Sequence, residues 1–445
     1  MNRARRRPDA ARVTAFRVLR QVTSQDAYAN LALSRARDGL DARDAGFVTE
    51  LVSGTCRLLG TYDRIITAAS GRPEGSFEGP LQDVLRLGAH QLLAMRVPVH
   101  AAVAATVDVA AIEVGERVAG LTNAVLRKVA ALDLTGWVDR LSQGADETDR
   151  IVLASHHPRW IVEAWREALA GDAGELMAAL QADNVPPVNH LVVRPGLAEV
   201  AELGGEPARY SPFGAYRSGP PGDVPVVAQH RAGVQDEGSQ LVALALSRVA
   251  APQGPWLDLC AGPGGKAALL AGLAIQAGTG LLASELQPHR ARLVADNLAC
   301  YGGPHRPLTV VADARRPGWA AGSFARVMAD VPCTGLGALR RRPESRWRRR
   351  PSDVAPLVQL QTRLLQAAID SAMPGGVVAY VTCSPHLAET HGVLATIDPR
   401  TAEVLHAPDY LPEVPGAAVG DFVQLWPHRH GTDAMFLALL RRRSR

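Results

Sequence analysis

Apolar residues recur at helical spacing through the first third of the chain. Val13, Phe16, Leu19 and Val22 share one face. Residues 44–66 place Val48, Leu51, Val52, Thr55, Leu58, Leu59 and Tyr62 in a single stripe. The pattern continues over 80–95, 99–114 and 120–132, with Pro98 and Gly115 as breaks. No strand-like run interrupts it, so residues 1–140 are expected to form an all-α domain. A second helical stretch covers 137–185, with Trp160, Ile161, Ala164 and Trp165 on one face. The segment VPPVNHLVVRP (185–195) then changes character, and 186–230 is rich in Pro and Gly with brief strand-like pieces. Residues 141–235 are therefore expected to form a helical linker and a small α+β subdomain.

From residue 255 the period changes again. WLDL (256–259), GLLAS (280–284), PLTVVAD (307–313), FARVMAD (324–330) and GGVVAYVTC (375–383) are short apolar runs. Helical patterns at 265–276, 287–300 and 353–372 separate them. Such alternation predicts βαβ units and an α/β, mostly parallel, doubly wound sheet over 236–445. FVQLWP (422–427) and MFLALL (435–440) suggest a closing hairpin-like pair.

Composition narrows the class. The 445 residues are 47% hydrophobic and 21% charged, with a formal charge of +4. That describes a globular protein of several domains. No run of about 18 uncharged apolar residues suggests a spanning helix. The basic N-terminus lacks the apolar stretch of a signal peptide. Five scattered cysteines, with no CxxC pair, point away from disulfides and structural zinc and towards a reducing cytoplasm. No metal is expected, and a monomer is. Of 48 basic residues only Lys128 and Lys266 are lysines, so most arginines read as generic surface charge.

Lys266 closes D-L-C-A-G-P-G-G-K (258–266) at a strand-to-helix turn. Glycines there let a ligand approach the backbone, and the helix start presents free N–H groups. A P-loop needs Gly at 260 and Ser or Thr at 267, but the chain has Cys260 and Ala267. A dinucleotide fingerprint is poorly served by Pro263. Glu285 ends the second strand, 20 residues past Gly265, where a ribose-binding carboxylate sits in nucleotide-binding βαβ units. Asp313 ends the third strand, suited to an adenine edge. The set suits an adenosine-containing cofactor.

Cys333, in A-D-V-P-C-T-G (329–335), and Cys383, in V-T-C-S-P (381–385), come just after the fourth and fifth strands. Both therefore emerge at the carboxyl edge of the sheet, where open α/β folds bind ligands. If those strands are neighbours, the sulfurs lie together. Cys56 and Cys300 read as small buried hydrophobes, and Cys260 as a packing or loop-shaping residue. A thiolate beside an adenosine cofactor suits one demanding reaction. Its addition to C6 of cytosine makes C5 an enamine carbon able to attack an electrophilic methyl group.

DLCAGPGGK, DVPCTG and VTCS resemble motifs I, IV and VI of the S-adenosylmethionine-dependent RNA 5-methylcytosine methyltransferases, the NOL1/NOP2/Sun family. RRRPESRW (340–347) resembles the stretch after motif IV, and VQDEGSQ (234–240) the pre-catalytic motif. Residues 9–135 are similar to a NusB-like RNA-binding domain, as in bacterial members acting on 16S ribosomal RNA. The resemblance implies that Cys383 is the nucleophile and that Cys333 assists product release. It implies S-adenosyl-L-methionine bound along Cys260, Ala261, Gly262, Pro263, Gly264, Gly265 and Lys266, with Glu285, Arg290, Asp313 and Asp330. Asp330 and Lys266 would also lie near the target cytosine. Val331 stands where the family usually has Ala, and Glu285 where it usually has Asp.

Seven arginines between 340 and 350 surround Trp347. Arg forks suit phosphates and Trp stacks on bases. Arg340, Arg341, Arg342, Arg346, Trp347 and Arg348 are therefore expected to contact RNA, with Arg3, Arg5, Arg6, Arg7, Arg441, Arg442, Arg443 and Arg445 as weaker candidates. His156, His157, His428 and His430 read as surface or packing residues. The target base must leave its stack, so single-stranded or loop RNA is expected. Transfer RNA as the substrate, and a noncatalytic RNA-binding ribosome-assembly factor, stand as alternatives.

Overall fold

The computed structural model describes residues 9–37 and 39–444. Arg3, Arg5, Arg6, Arg7 and Arg445 lie outside this range. The chain forms two compact units. The first takes the described residues up to Arg166, with Ala173–Asn184 and, from far along the chain, Leu339–Arg349. The second takes Glu167–Asp172, Val185–Ala338 and the residues from Arg350 onward.

The first unit is helical. It contains α1 (Ala10–Ser24), α2 (Ala29–Ala36), α3 (Ala42–Arg57), α4 (Leu59–Ser70), α5 (Gly79–Leu93), α6 (Val99–Glu113), α7 (Ala119–Val129), α8 (Leu134–Leu141) and α9 (Glu147–Ser155), most of α10 (Arg159–Ala168), and α11 (Ala173–Ala182). Local chemistry sets several starts. Asp9, Asp41, Asp133 and Asp146 each cap a helix by accepting from the backbone N–H three residues on, worth about 1 kcal/mol apiece. Val13, Phe16, Leu19 and Val22 are all buried, as their spacing predicts. The stripe over 44–66 is two helices, not one, broken at Leu58. Side chains on both sides of the break still face the core, so periodicity alone hides it.

The 141–235 region is not a separate unit. Apart from Glu167–Asp172, its residues up to Asn184 belong to the first unit and those from Val185 to the second. Within the first, Asn184 donates to Ser155 O at 2.8 Å. Beyond it, in the second unit, lies a four-stranded antiparallel sheet, ordered β2 (Glu206–Pro207), β3 (Gly214–Arg217), β1 (Asn189–Val193), β4 (Ala232–Val234). The short α12 (Pro225–Ala228) precedes β4.

The large sheet runs β11 (Ala418–Val419), β12 (Phe422–Gln424), β13 (Phe436–Arg442), β9 (Ala372–Thr382), β8 (Phe324–Asp330), β5 (Trp256–Asp258), β6 (Leu281–Glu285), β7 (Leu308–Val311). Strands β9, β8, β5, β6 and β7 are parallel neighbours. β13 joins β9 antiparallel, pairs with β12 as the late hairpin-like signal suggests, and carries β10 (Ala402–Leu405). Apolar residues cover both faces. Val377, Ala379 and Val381 enter one core with residues of α13 (Glu237–Arg248), α14 (Gly265–Gln276) and α15 (Pro288–Leu298). Val378 and Tyr380 enter the other with residues of α17 (Val354–Ser371). Burial on both faces is why these strands read as continuous apolar runs. Because β8 and β9 are adjacent and parallel, their carboxyl ends deliver Cys333 and Cys383 to one edge.

Candidate active site

The turn after β5 is held from three sides. Ala261 N–H donates to Ser284 O at 2.8 Å, and Arg290 reaches Gly262 O at 2.6 Å. Asn297 donates to Pro263 O at 3.0 Å. The Gly262–Pro263 bond is cis. A Cβ on Gly262 would meet Glu285 Oε2 at 2.1 Å, so only glycine lets this loop lie against the carboxylate. Gly264 caps α14 with φ +114°, in the left-handed region, against the backbone of Val294. Glu285 is buried. Its oxygens accept from Gly262 N at 3.1 Å and Gln287 N at 2.9 Å. A carboxylate has about four acceptor positions, so two remain for a diol. The cradle fits an adenosine ribose. Leu286, 51% exposed, adds an apolar side chain beside it.

A charged centre lies one turn away. Lys266 Nζ pairs with Asp330 at 2.9 Å and donates to Ser239 at 3.1 Å. Burial opposes the ammonium most strongly. Asp330 and the Cys383 sulfur outweigh that cost, so the Lys266 pKa is raised and its charge is kept. Asp258, on the strand below, is fully buried. Burial first, then Asp330, pushes its carboxyl up to about 7, against the pull of Lys266.

The two sulfurs are 3.3 Å apart. The contact with Cys383, then burial, raises the Cys333 thiol well above its ordinary value. Beneath them Glu389 is fully buried and accepts from Thr334 N at 2.8 Å and Gln361 Nε2 at 2.9 Å, and from both Thr334 and Ser384 hydroxyls.

Cys260, Ala261, Gly262, Pro263, Gly264, Gly265, Lys266, Glu285, Asp330, Cys333 and Cys383 thus gather at one edge of one unit. Burial and then Asp258 raise the Cys260 thiol above its ordinary value. Arg290 braces the loop through Gly262 O and also lies 3.8 Å from Glu285, with its side chain 43% exposed. Asp313 is held by Arg315 at 2.6 Å, and that guanidinium draws its carboxyl down to about 2. An adenine amino group there would share the carboxylate with Arg315. Sequence reasoning missed Asp258, Ser239, Leu286, Gln361 and Glu389. Asp258 lies inside DLCAGPGGK and Ser239 inside VQDEGSQ, and Leu286 comes directly after Glu285. Nothing local marks Gln361 or Glu389.

The arginine-rich stretch belongs to the first unit, with a one-turn helix α16 (Ser345–Arg348) at its centre. Arg346 is fully buried, and its guanidinium donates to the carbonyls of Arg57, His156 and Asp183 and to Asn184 Oδ1. Trp347 Nε1 donates to Cys56 O at 2.7 Å, and the indole lies where a Cβ on Gly60 would be. Arg348 donates to Val22, Asp26 and Ala27 carbonyls. Arg342 lies over the Tyr28 ring, 5.0 Å from its centroid. Arg340 is buried, and Arg341 lies beside it. The expectation of RNA contact finds Arg346, Trp347 and Arg348 already engaged by their own unit. The local cause is a helical domain whose last-turn carbonyls need donors.

The family model described as 16S rRNA methyltransferase RsmB/F matches residues 245–441, and the NusB family model matches 9–131. The chain is 50% identical to a putative methyltransferase of Mycobacterium tuberculosis, over 98% of each chain. It is 30% identical to the ribosomal RNA small subunit methyltransferase B of Salmonella heidelberg, over 91% of this chain and 94% of that one. The crystal structure of PH0851 shares its fold with a TM-score of 0.77 at 21% identity, covering 98% of this chain and 100% of that one.

Proposed function

This chain belongs to the 16S rRNA methyltransferase RsmB/F family, and we propose that it methylates C5 of a cytosine in 16S ribosomal RNA through a covalent adduct with Cys383. The observation that carries this is the pair of sulfurs 3.3 Å apart at the sheet edge that also holds the Lys266–Asp330 pair. Bound at the glycine loop, S-adenosyl-L-methionine supplies the electrophilic methyl group. Glu285 would hold the ribose through its remaining acceptor positions, and the N–H groups starting α14 would hold the amino-acid half.

The Cys383 sulfur forms a bond to C6, which moves the ring's electrons towards C5 and N3. Lys266, kept charged by Asp330, faces that developing negative charge in a partly buried setting, where the charge counts for more than in water. C5 takes the methyl group, its donor leaving as the neutral thioether; water then takes the C5 proton, the electrons of that bond restore the C5–C6 double bond, and the Cys383 sulfur leaves as thiolate. Cys333, in contact with Cys383, is positioned to assist that release.

The 16S assignment is supported by the Salmonella relative's name and by the NusB match. Bisulfite sequencing of ribosomal and transfer RNA from cells with and without the gene tests it. Loss of one 16S cytosine signal is expected. Loss of a transfer-RNA signal instead would move the substrate, and no change would point to the noncatalytic alternative. Cys333→Ala is expected to accumulate a denaturant-resistant protein–RNA complex, and its absence would remove Cys333 from the release step.

A further inference from the structure

We infer that Glu389 is a positioning residue that holds the Cys333 and Cys383 sulfurs at a common reaction distance. The inference rests on the methyl-transfer reading for its consequence, though not for its geometry. Glu389 lies outside the cysteine motifs, yet its carboxylate is tied to both cysteine loops. One oxygen accepts the backbone N–H of Thr334, directly after Cys333. The other accepts the hydroxyl of Ser384, directly after Cys383, and that of Thr334. Gln361 completes the strap. Its Nε2 donates to Glu389 at 2.9 Å and to Pro332 O, directly before Cys333, at 2.9 Å. Tyr380 then donates to the Glu389 carbonyl at 2.6 Å, anchoring the clamp to β9.

The peptides on both sides of Cys333 and the residue after Cys383 are thus held by one buried carboxylate and its amide partner. The consequence is kinetic. Both sulfurs must reach the same base in turn, one forming the bond to C6 and the other assisting its loss. If the loops part, addition at Cys383 can still occur, but release waits for Cys333. Loosening the clamp should therefore shift the reaction towards a lingering adduct, a change that a merely structural brace would not produce.

Phenylarsine oxide reports sulfur spacing without any turnover. It bridges two nearby thiols to give a dithioarsenite, with its oxygen leaving as water. Wild-type protein should bind one equivalent, lost in Cys333→Ser. Glu389→Ala should weaken that binding at least tenfold and raise the trapped protein–RNA fraction. Glu389→Gln keeps one acceptor oxygen and shape, so it should fall between them; it carries the test if the alanine variant does not fold. A folded Glu389 variant with wild-type arsenical affinity and adduct fraction would overturn the inference. So would a lowered melting temperature with both of those readouts unchanged. Arsenical binding as expected in a protein that methylates no RNA would uphold the clamp and sink the methyl-transfer reading instead.

Discussion

Two stretches separated by a handful of residues, the Cys333 turn and the arginine-rich arm at 339–349, use buried polar groups in opposite ways. In the arm, most buried donors find acceptors, although Arg346 Nε and Glu344 Oε2 have no hydrogen-bond partner. Arg346 donates to three backbone carbonyls and the Asn184 side chain, and Trp347 to a fourth carbonyl. At the cysteine edge, matched groups such as Lys266–Asp330 and the Glu389 bonds stand beside like groups that meet. Two thiols touch, and Asp330 raises the cost of ionising Asp258 beside one lysine. Matched groups hold a fold together, whereas mismatched ones store a tendency to react or to change protonation. A charge-rich sequence therefore does not mark a binding surface until its partners are known.

The largest effect that would test this contrast is on catalysis. Cys383→Ala should lower methyl transfer at least ~1000-fold, about 4 kcal/mol in barrier, with an unchanged melting curve, as measured by labelled-methyl incorporation and calorimetry. Arg346→Ala should do the reverse. It leaves buried carbonyls without donors and should cost about 3–5 kcal/mol of stability, with near-normal turnover at temperatures where the variant stays folded. Equal losses of turnover in both variants would collapse the contrast.

Asp258 supplies the next test. Its carboxyl ionises near 7 in the folded chain, against about 4 when unfolded. Between those values the folded chain holds a proton that the unfolded chain has lost. Stability should therefore fall as pH rises through that window and level off above it, by up to about 4 kcal/mol. Asp258→Asn should flatten the profile, and urea unfolding from pH 4 to 8 would reveal an unchanged slope if this is wrong. The smallest effect belongs to the arm's packing. A Cβ on Gly60 would come within 2.2 Å of the Trp347 ring. Gly60→Ala should cost about 1–3 kcal/mol and shift the indole fluorescence, while leaving methyl transfer intact.

Much of the molecule is legible in the sequence because it is local. The glycine turn, its acidic partner Glu285 and the helices around them come from short-range rules, and β8 begins and ends where FARVMAD does. Other features are hidden for equally physical reasons. The break at Leu58 leaves the apolar stripe intact. Glu389 works only through residues brought beside it by strand order and by α17.

The sequence by itself determined the helical first domain, the alternating α/β second one and the chemistry on offer: a glycine loop, two cysteines and one lysine. Those depend on periodicity, backbone freedom and side-chain type, which are written residue by residue. Only the tertiary structure decided which of these groups meet. Placing β8 beside β9 brings the sulfurs into contact and sets Glu389 beneath them. Folding residues 339–349 into the first unit turns an arginine run into internal hydrogen bonding. Contact across 50 to about 300 positions is a property of topology, and no local pattern encodes it.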